Sequence, residues 1–195
     1  MSFEGYAVRL SRLWIAPDHW RPISQATLAY GYGVSVTPLQ LAQAYAVLAA
    51  DGIRRPVAFL QDSEVAEERR VISKTVARQV RDMLEQAAGP EGTAPAAQVA
   101  GYRVAGKTGT VHKSIAGGYS DNKYLSVFAG MAPASDPRLV MVVMIDEPSN
   151  GKYYGGQVAA PVFSKVISGA LRLLAVPPDN LPLLQTKQVA AEDAA

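Results

Sequence analysis

No cysteine occurs among the 195 residues of this chain. That absence excludes disulfides, thiolate metal sites and a cysteine nucleophile, and it fits either an oxidising or a reducing compartment. Histidine is nearly as scarce. His19 and His112 stand far apart and in no ligand-like cluster, so neither a metal nor a cofactor is expected. Long apolar runs are missing too. A membrane helix needs about 18 to 20 uninterrupted apolar residues, and the nearest candidate, Val158 to Val176, is broken by Lys165 and Arg172. It reads instead as an amphipathic helix packed on a sheet, and no membrane span is expected. Met1 to Tyr6 has neither the basic start nor the apolar core of a signal peptide, so no export address is expected within this chain. An excess of one charge sign is also lacking: the formal net charge is +2 and the basic residues are scattered, which argues against nucleic acid as a partner.

What is present suffices for one substantial core, since 49% of the residues are hydrophobic. No internal repeat is found. Thr37-Pro38 ahead of Leu39, Leu41, Ala42, Tyr45, Ala46, Leu48 and Ala49 predicts a capped helix closed by Asp51-Gly52. Ser73 predicts a second helix from Lys74 to about Ala88, with Val76, Val80, Met83, Leu84 and Ala87 as its apolar stripe and Gly89-Pro90 as its stop. Glu91 to Ala97 reads as a loop. Gln98 to Gly106 is an extended lead-in, and Tyr124 to Met131 and Leu139 to Ile145 read as strands. The last of these is apolar throughout and is expected to be buried on both faces. His112 to Asn122 is polar and Gly-rich, which predicts a long hairpin loop. Helices, three antiparallel strands and a closing helix make an α+β pattern, an antiparallel sheet flanked by helices.

One run concentrates chemistry on this framework. Lys107-Thr108-Gly109-Thr110 combines an ammonium, two hydroxyls and a position without a side chain, a set suited to holding a carboxylate. A Lys-Thr/Ser-Gly triad lines one wall of the active site in penicillin-interacting serine enzymes, beside a Ser-x-x-Lys nucleophile motif and a Ser-x-Asn motif. The three-strand spacing can carry the run on a sheet edge.

Several segments occur in one order with that run: Thr27 to Ala42 with its Ala29-Tyr30-Gly31-Tyr32-Gly33 core, Phe128-Ala129-Gly130-Met131-Ala132-Pro133, Val143 to Pro148, Tyr153-Tyr154-Gly155-Gly156, and Ala160 to Val166 through Pro177-Pro178-Asp179-Asn180. Together they resemble the C-terminal part of the transpeptidase domain of class B penicillin-binding proteins, with the division-specific (septal) branch as the best match. The resemblance covers residues 23–182. Residues 1–22 match poorly, although Trp20-Arg21-Pro22 fits the run before the tyrosine segment, and 183–195 read as a disordered tail.

The resemblance implies a partial penicillin-binding-protein/β-lactamase-like fold and a serine D,D-transpeptidase that cross-links peptidoglycan stem peptides ending in D-Ala-D-Ala and is the target of β-lactams. The parent protein is expected at the periplasmic face of the bacterial inner membrane, working with division-machinery proteins. In that family the Lys107 equivalent contributes positive charge, and the Thr108 and Thr110 hydroxyls meet the substrate carboxylate. The Thr110 backbone N–H forms half of the oxyanion hole. A side chain at Gly109 would push the substrate off the strand. Tyr32, Tyr153 and Tyr154 resemble aromatic positions near the cleft, and each also has a bland reading as turn or loop packing. His112 stands where septal enzymes commonly carry arginine, and it reaches less far; an exposed loop residue is its bland reading.

The nucleophile motif and the Ser-x-Asn motif precede the tyrosine segment in that family, and neither is found in this chain. Ser120-Asp121-Asn122-Lys123 and Ser149-Asn150-Gly151-Lys152 imitate them, but one Ser-x-x-Lys is expected by chance at roughly these Ser and Lys counts. Both lie in polar loops after Lys107, where nothing holds and desolvates the lysine as a base. Asp146-Glu147-Pro148 reads as a structural turn. Three readings follow: a portion of a peptidoglycan transpeptidase, inactive alone because the acylated serine lies elsewhere; a non-enzymatic remnant that binds division partners or cell-wall peptides; and a β-lactam hydrolase, which the Ala-Tyr-Gly-Tyr-Gly segment fits less well. Without upstream helices the sheet is expected to expose an apolar face.

Overall fold

A computed structural model describes residues 21–23, 26, 36–59, 67–115, 118–149 and 151–181. Helix α1 (Pro38–Ala49) begins as its sequence predicts. The Thr37 hydroxyl accepts the Gln40 N–H at 3.2 Å, and the Gln40 side-chain oxygen accepts the Thr37 N–H at 2.9 Å, so two of the helix's orphan donors are satisfied reciprocally. Asp51 at φ 51° and Gly52 at φ 91° then turn the chain into a two-residue antiparallel pair, β1 (Ile53–Arg54) with β2 (Arg69–Arg70). Ser73 caps α2 (Lys74–Ala88) through the Val76 N–H at 3.2 Å.

The buried face of α2 is not the predicted stripe. Ala77, Arg81 and Ala88 are buried and Leu84 packs on the core, whereas Val76 and Met83 are 45% and 59% exposed. Small alanines let the helix approach the sheet closely. Arg81 joins them because its guanidinium finds partners, the Leu48 carbonyl at 3.5 Å and Asp51 at 3.4 Å. Asp51 also pairs with Lys74 at 3.3 Å and Arg78 at 3.2 Å, so one carboxylate at the end of α1 ties down the first two turns of α2. The Arg78 hydrogen bonds, with Lys74 adding to them, hold the Asp51 carboxyl below its usual value.

The predicted lead-in strand begins only at Ala105. Before it, Pro95–Ala97 forms a 3-10 turn, and the Tyr102 N–H donates to the Val99 carbonyl at 3.0 Å around Gly101, whose φ of 81° suits glycine. The segment from Val176 to Asn180 clamps this turn. The Tyr102 hydroxyl donates to the Val176 carbonyl at 2.6 Å, and Asp179 accepts from the Arg103 N–H at 2.7 Å and the Ser135 hydroxyl at 2.6 Å.

β3 (Ala105–Ile115), β4 (Gly118–Ala132) and β5 (Leu139–Asp146) form an antiparallel sheet in that order. The hairpin between β3 and β4 is strand where a long loop was expected: pairing continues through a bulge near His112 to Ile115 opposite Gly118. Polarity misled because a two-stranded extension in water needs no apolar face. After β5, a short helix α3 (Gly155–Val158) leads into α4 (Ala160–Leu173), which buries Ala160, Phe163, Ile167 and Leu171. Phe163 meets Phe128 edge-to-face at 4.8 Å, both fully buried, and each contributes about 1.5–3 kcal/mol by burial.

The two sheet faces differ. Phe128, Val143, Met141 and Ile145 face α4, while Ala105, Met131 and Val140 face Tyr45, Leu48 and Ala49 of α1 and Leu84 of α2. β5 corrects a further expectation: Val143 is its sole buried residue and Met144 is 47% exposed. The apolar run calls for cover on both faces, and at the Met144 end the described residues supply little on one of them. Among the described residues, no helix is long and apolar enough to cross a membrane.

Candidate active-site wall

Among the described residues β3 is an edge of the sheet, so the Lys107 to Thr110 run lies along a strand side with no strand paired to it. Strand alternation sends Lys107 and Gly109 to the α1 and α2 face and Thr108, Thr110 and His112 to the α4 face. Lys107 is exposed, and its ammonium folds back over the edge to the Thr108 carbonyl at 3.0 Å and the Thr108 hydroxyl at 3.3 Å. An ammonium from one face and hydroxyls from the other thus converge on a single line.

The hydroxyls are oriented by neighbours that local sequence does not reveal. The Thr108 and Thr93 hydroxyls lie 3.2 Å apart, bringing in the loop after α2. Thr110 Oγ1 accepts the Gly155 N–H at 3.0 Å. With that lone pair occupied, the hydroxyl proton of Thr110 is available to an outside acceptor. Gly155 is held so tightly that an added Cβ would run into the Val127 carbonyl oxygen and come within 2.7 Å of that of Gly109. Gly109 differs. A Cβ there would meet only Val127 Cβ at 3.7 Å, an ordinary contact, so internal packing does not demand the glycine.

A row of rings borders the hydroxyls. His112 lies against Tyr124, centroids 4.6 Å apart; Tyr124 stacks on Tyr153 at 4.2 Å and 14°; Tyr153 meets Tyr154 at 4.5 Å. The Ser126 hydroxyl, fully buried, donates to the Tyr153 carbonyl and fixes that end of the row. Hydrogen bonding with Tyr154 raises the Tyr153 phenol above its usual value. His112 Nδ1 is 2.8 Å from the Ser120 carbonyl, which can only accept, so Nδ1 carries the hydrogen and Nε2 is the acceptor of the neutral ring. Of the residues singled out by sequence, Lys107, Thr108, Gly109, Thr110, His112, Tyr153 and Tyr154 come together here. Tyr32 lies outside the described residues.

The Ser-x-x-Lys imitations have no such geometry. Ser120 and Lys123 both sit in β4, where residues three apart point to opposite faces. The Ser120 hydroxyl bonds to Asn122 and the Lys123 ammonium to Glu147. Ser149 precedes Gly151 at φ 69° in non-helical chain, with Asn150 outside the described residues. The Asp146-Glu147 pair is a surface ion cluster: Lys113 lies 2.9 Å from Asp146 and 2.8 Å from Glu147, and Lys113 followed by Lys123 holds the Glu147 carboxyl below its usual value. Among the described residues, no group of three or more His, Cys, Asp or Glu could hold a metal ion.

The penicillin binding protein transpeptidase domain family matches residues 13–168. The chain is 42% identical over 176 residues to the probable peptidoglycan D,D-transpeptidase PenA of Neisseria meningitidis, covering 90% of this chain and 30% of the relative. It is 43% identical over 177 residues to the peptidoglycan D,D-transpeptidase FtsI of Escherichia coli, covering 91% and 30%. Among solved structures, the apo transpeptidase domain of penicillin-binding protein 3 from Burkholderia pseudomallei superposes with a TM-score of 0.77 at 49% identity, over 85% of this chain and 50% of that one. The chain therefore spans about 30% of the curated relatives' length and half of the solved domain. With the Lys-Thr-Gly-Thr edge, the docked Tyr-Tyr-Gly-Gly turn and a family match across most of its length, the chain belongs to the penicillin binding protein transpeptidase domain family.

Proposed function

We propose that this chain supplies the carboxylate-binding wall of a serine D,D-transpeptidase that cross-links peptidoglycan stem peptides and is acylated by β-lactams. The observation that carries the reading is the convergence of the Lys107 ammonium, the Thr108 hydroxyl and the outward-donating Thr110 hydroxyl on one open strand edge. A stem peptide ending in D-Ala-D-Ala lies along this edge as an added strand, its carboxylate taking charge-assisted hydrogen bonds from those groups. The absence of a side chain at Gly109 lets it approach, consistent with a glycine that packing does not require. As the serine of the Ser-x-x-Lys motif attacks, negative charge develops on the carbonyl oxygen, and the Thr110 N–H is one of two donors that meet it. One such donor is worth about 3 kcal/mol of barrier. The rings of Tyr124, Tyr153 and Tyr154, with His112, cover the bound peptide or lactam side chain. The serine comes from outside this chain. The parent protein acts at the periplasmic face of the bacterial inner membrane in septum formation, with division proteins as partners.

The test is labelling with a fluorescent penicillin. The isolated chain is expected to remain unlabelled, and a covalent adduct on Ser120 or Ser149 would overturn the reading. Mixed with the Ser-x-x-Lys-bearing half of the Burkholderia pseudomallei domain, the chain should restore labelling on that half's serine. Lys107→Ala in this chain should slow the restored labelling about a hundredfold, in line with loss of one charged group from an active site.

A further inference from the structure

Asp51, just past the end of α1, stands among more cations than one carboxylate can neutralise. Its carboxylate takes Lys74 at 3.3 Å, Arg78 at 3.2 Å and Arg81 at 3.4 Å, and its carbonyl accepts from the Arg70 guanidinium at 2.8 Å. Arg70 also donates to the Ile72 carbonyl at 3.3 Å, so among the described residues its charge meets backbone oxygens and no carboxylate. Arg54 and Arg69 face each other directly across the β1 and β2 pair, both exposed and neither paired with a carboxylate among the described residues. Like charges set directly opposite weaken a strand pair. Of the neighbouring carboxylates, Glu68 is taken by Arg55 at 2.8 Å, which leaves Glu67. The sequence spreads these cations over positions 54 to 81, and the fold gathers them at the joint of α1, β2 and α2. None of them belongs to the Lys107 to Thr110 wall or to the row of rings.

We propose that this joint docks an acidic, partly apolar segment of a protein partner, whose carboxylates complete the ion pairs that Asp51 alone cannot. Guanidinium forks dominate the set, and they match carboxylates bidentately. Strand alternation puts Arg54 and Arg69 on the opposite face of the pair from Arg70, so the occupant has to reach around the ribbon. A single small anion meets one group or the other, and a bilayer presents its charge as a plane. Exposed apolar side chains lie beside the cations: Val71, next to Arg70, is 47% exposed, and Val57 and Phe59, just beyond Arg55, are 43% and 81% exposed. An inorganic anion gains nothing from covering them. A peptide that intersperses acidic with apolar residues gains from both kinds of contact. Docking here does not depend on the chemistry along β3.

Binding of a fluorescently labelled peptide of glutamates interspersed with leucines to the full chain is followed by anisotropy, with urea unfolding of every variant alongside. The parent chain should bind at low salt and lose at least about tenfold in affinity at about 1 M salt, where the Debye length falls to about 3 Å. Arg54→Gln and Arg69→Gln should each weaken binding about threefold while leaving the urea midpoint unchanged or raised, because each removes a facing like charge. A residue kept for the fold alone would not separate the two readouts in this way. Asp51→Asn should tighten binding about threefold by freeing Lys74 and Arg78. Glu91→Gln, the same charge change at an exposed position in the loop after α2, should leave binding as it was. Exchanging the leucines of the peptide for serines should weaken it. No binding of the peptide, arginine variants that bind as the parent does, or equal tightening by Asp51→Asn and Glu91→Gln would overturn the proposal. So would tighter binding of phosphatidylglycerol vesicles, a single-stranded oligonucleotide or inorganic phosphate than of the peptide.

Discussion

The two edges of one three-stranded sheet are built on opposite plans. Along β3, Lys107 and the hydroxyls of Thr108 and Thr110 line the edge, and the Tyr153 to Gly156 turn docks beside it through Gly155 and Ser126. Along β5 the residues are apolar up to Asp146 and, among the described residues, no strand pairs with its outer side. Among the described residues neither edge has a strand partner, so backbone pairing alone cannot distinguish them. Side chains do: the β3 edge carries an ammonium and hydroxyls that water solvates well, whereas the β5 edge carries apolar side chains that gain from being removed from water.

The largest expected effect removes the support common to both edges. Phe163→Ala leaves a cavity against Phe128 and should cost about 3–5 kcal/mol of stability, read as a lowered urea midpoint; protection of β3 and β5 in hydrogen exchange should fall together. A fall confined to one edge would show that the sheet does not share one core.

A narrower break separates site geometry from stability. Gly155→Ala forces a methyl against the Val127 and Gly109 carbonyls, with an expected cost of about 1–3 kcal/mol and an altered environment for Tyr153, while β5 is unaffected. Gly109→Ala, with room for its methyl, should change stability by no more than about 0.5 kcal/mol yet abolish penicillin labelling in the reconstituted domain. Equal destabilisation by the two variants would refute the contrast drawn between these glycines.

The smallest effect concerns pH. The Asp51 carboxyl is held below its usual value, so its pairing with Arg78 and Lys74 stabilises the fold above the ordinary aspartate range and is lost as pH falls through the lowered value. The urea midpoint should be flat from about pH 7 to 5 and decline toward about pH 3, and Asp51→Asn should flatten part of that decline. The carboxyl is partly exposed to solvent, so the slope should be shallow and should weaken further in salt. An Asp51→Asn profile identical to that of the parent chain would show that the Asp51 ion pairs do not help to join α1 and α2.

Local signals carried most of the fold. Caps at Thr37 and Ser73 act within three residues, and both helices begin where those side chains predict. The strands at Tyr124 to Met131 and Leu139 to Ile145 were legible from apolar, β-prone composition. The Lys107 to Thr110 run was legible because its residue types and spacing are unusual together. Other site residues were not. Thr93 reaches Thr108 from another loop, Tyr124 faces His112 through the β3 to β4 register, and Ser126 meets Tyr153 across 27 residues of chain. Periodicity also misplaced the buried face of α2, because Arg81 is polar in composition but finds partners in the fold.

By itself, then, the sequence determined that the chain carries capped helices, apolar strands and a Lys-Thr-Gly-Thr tetrapeptide, since each depends on residues a few positions apart. The tertiary structure alone decided which strand stands at which edge, which hydroxyl has its acceptor filled and which glycine has no room. Those properties depend on register and on contacts between segments distant in the chain, and the energies that select them arise only once the segments are packed together.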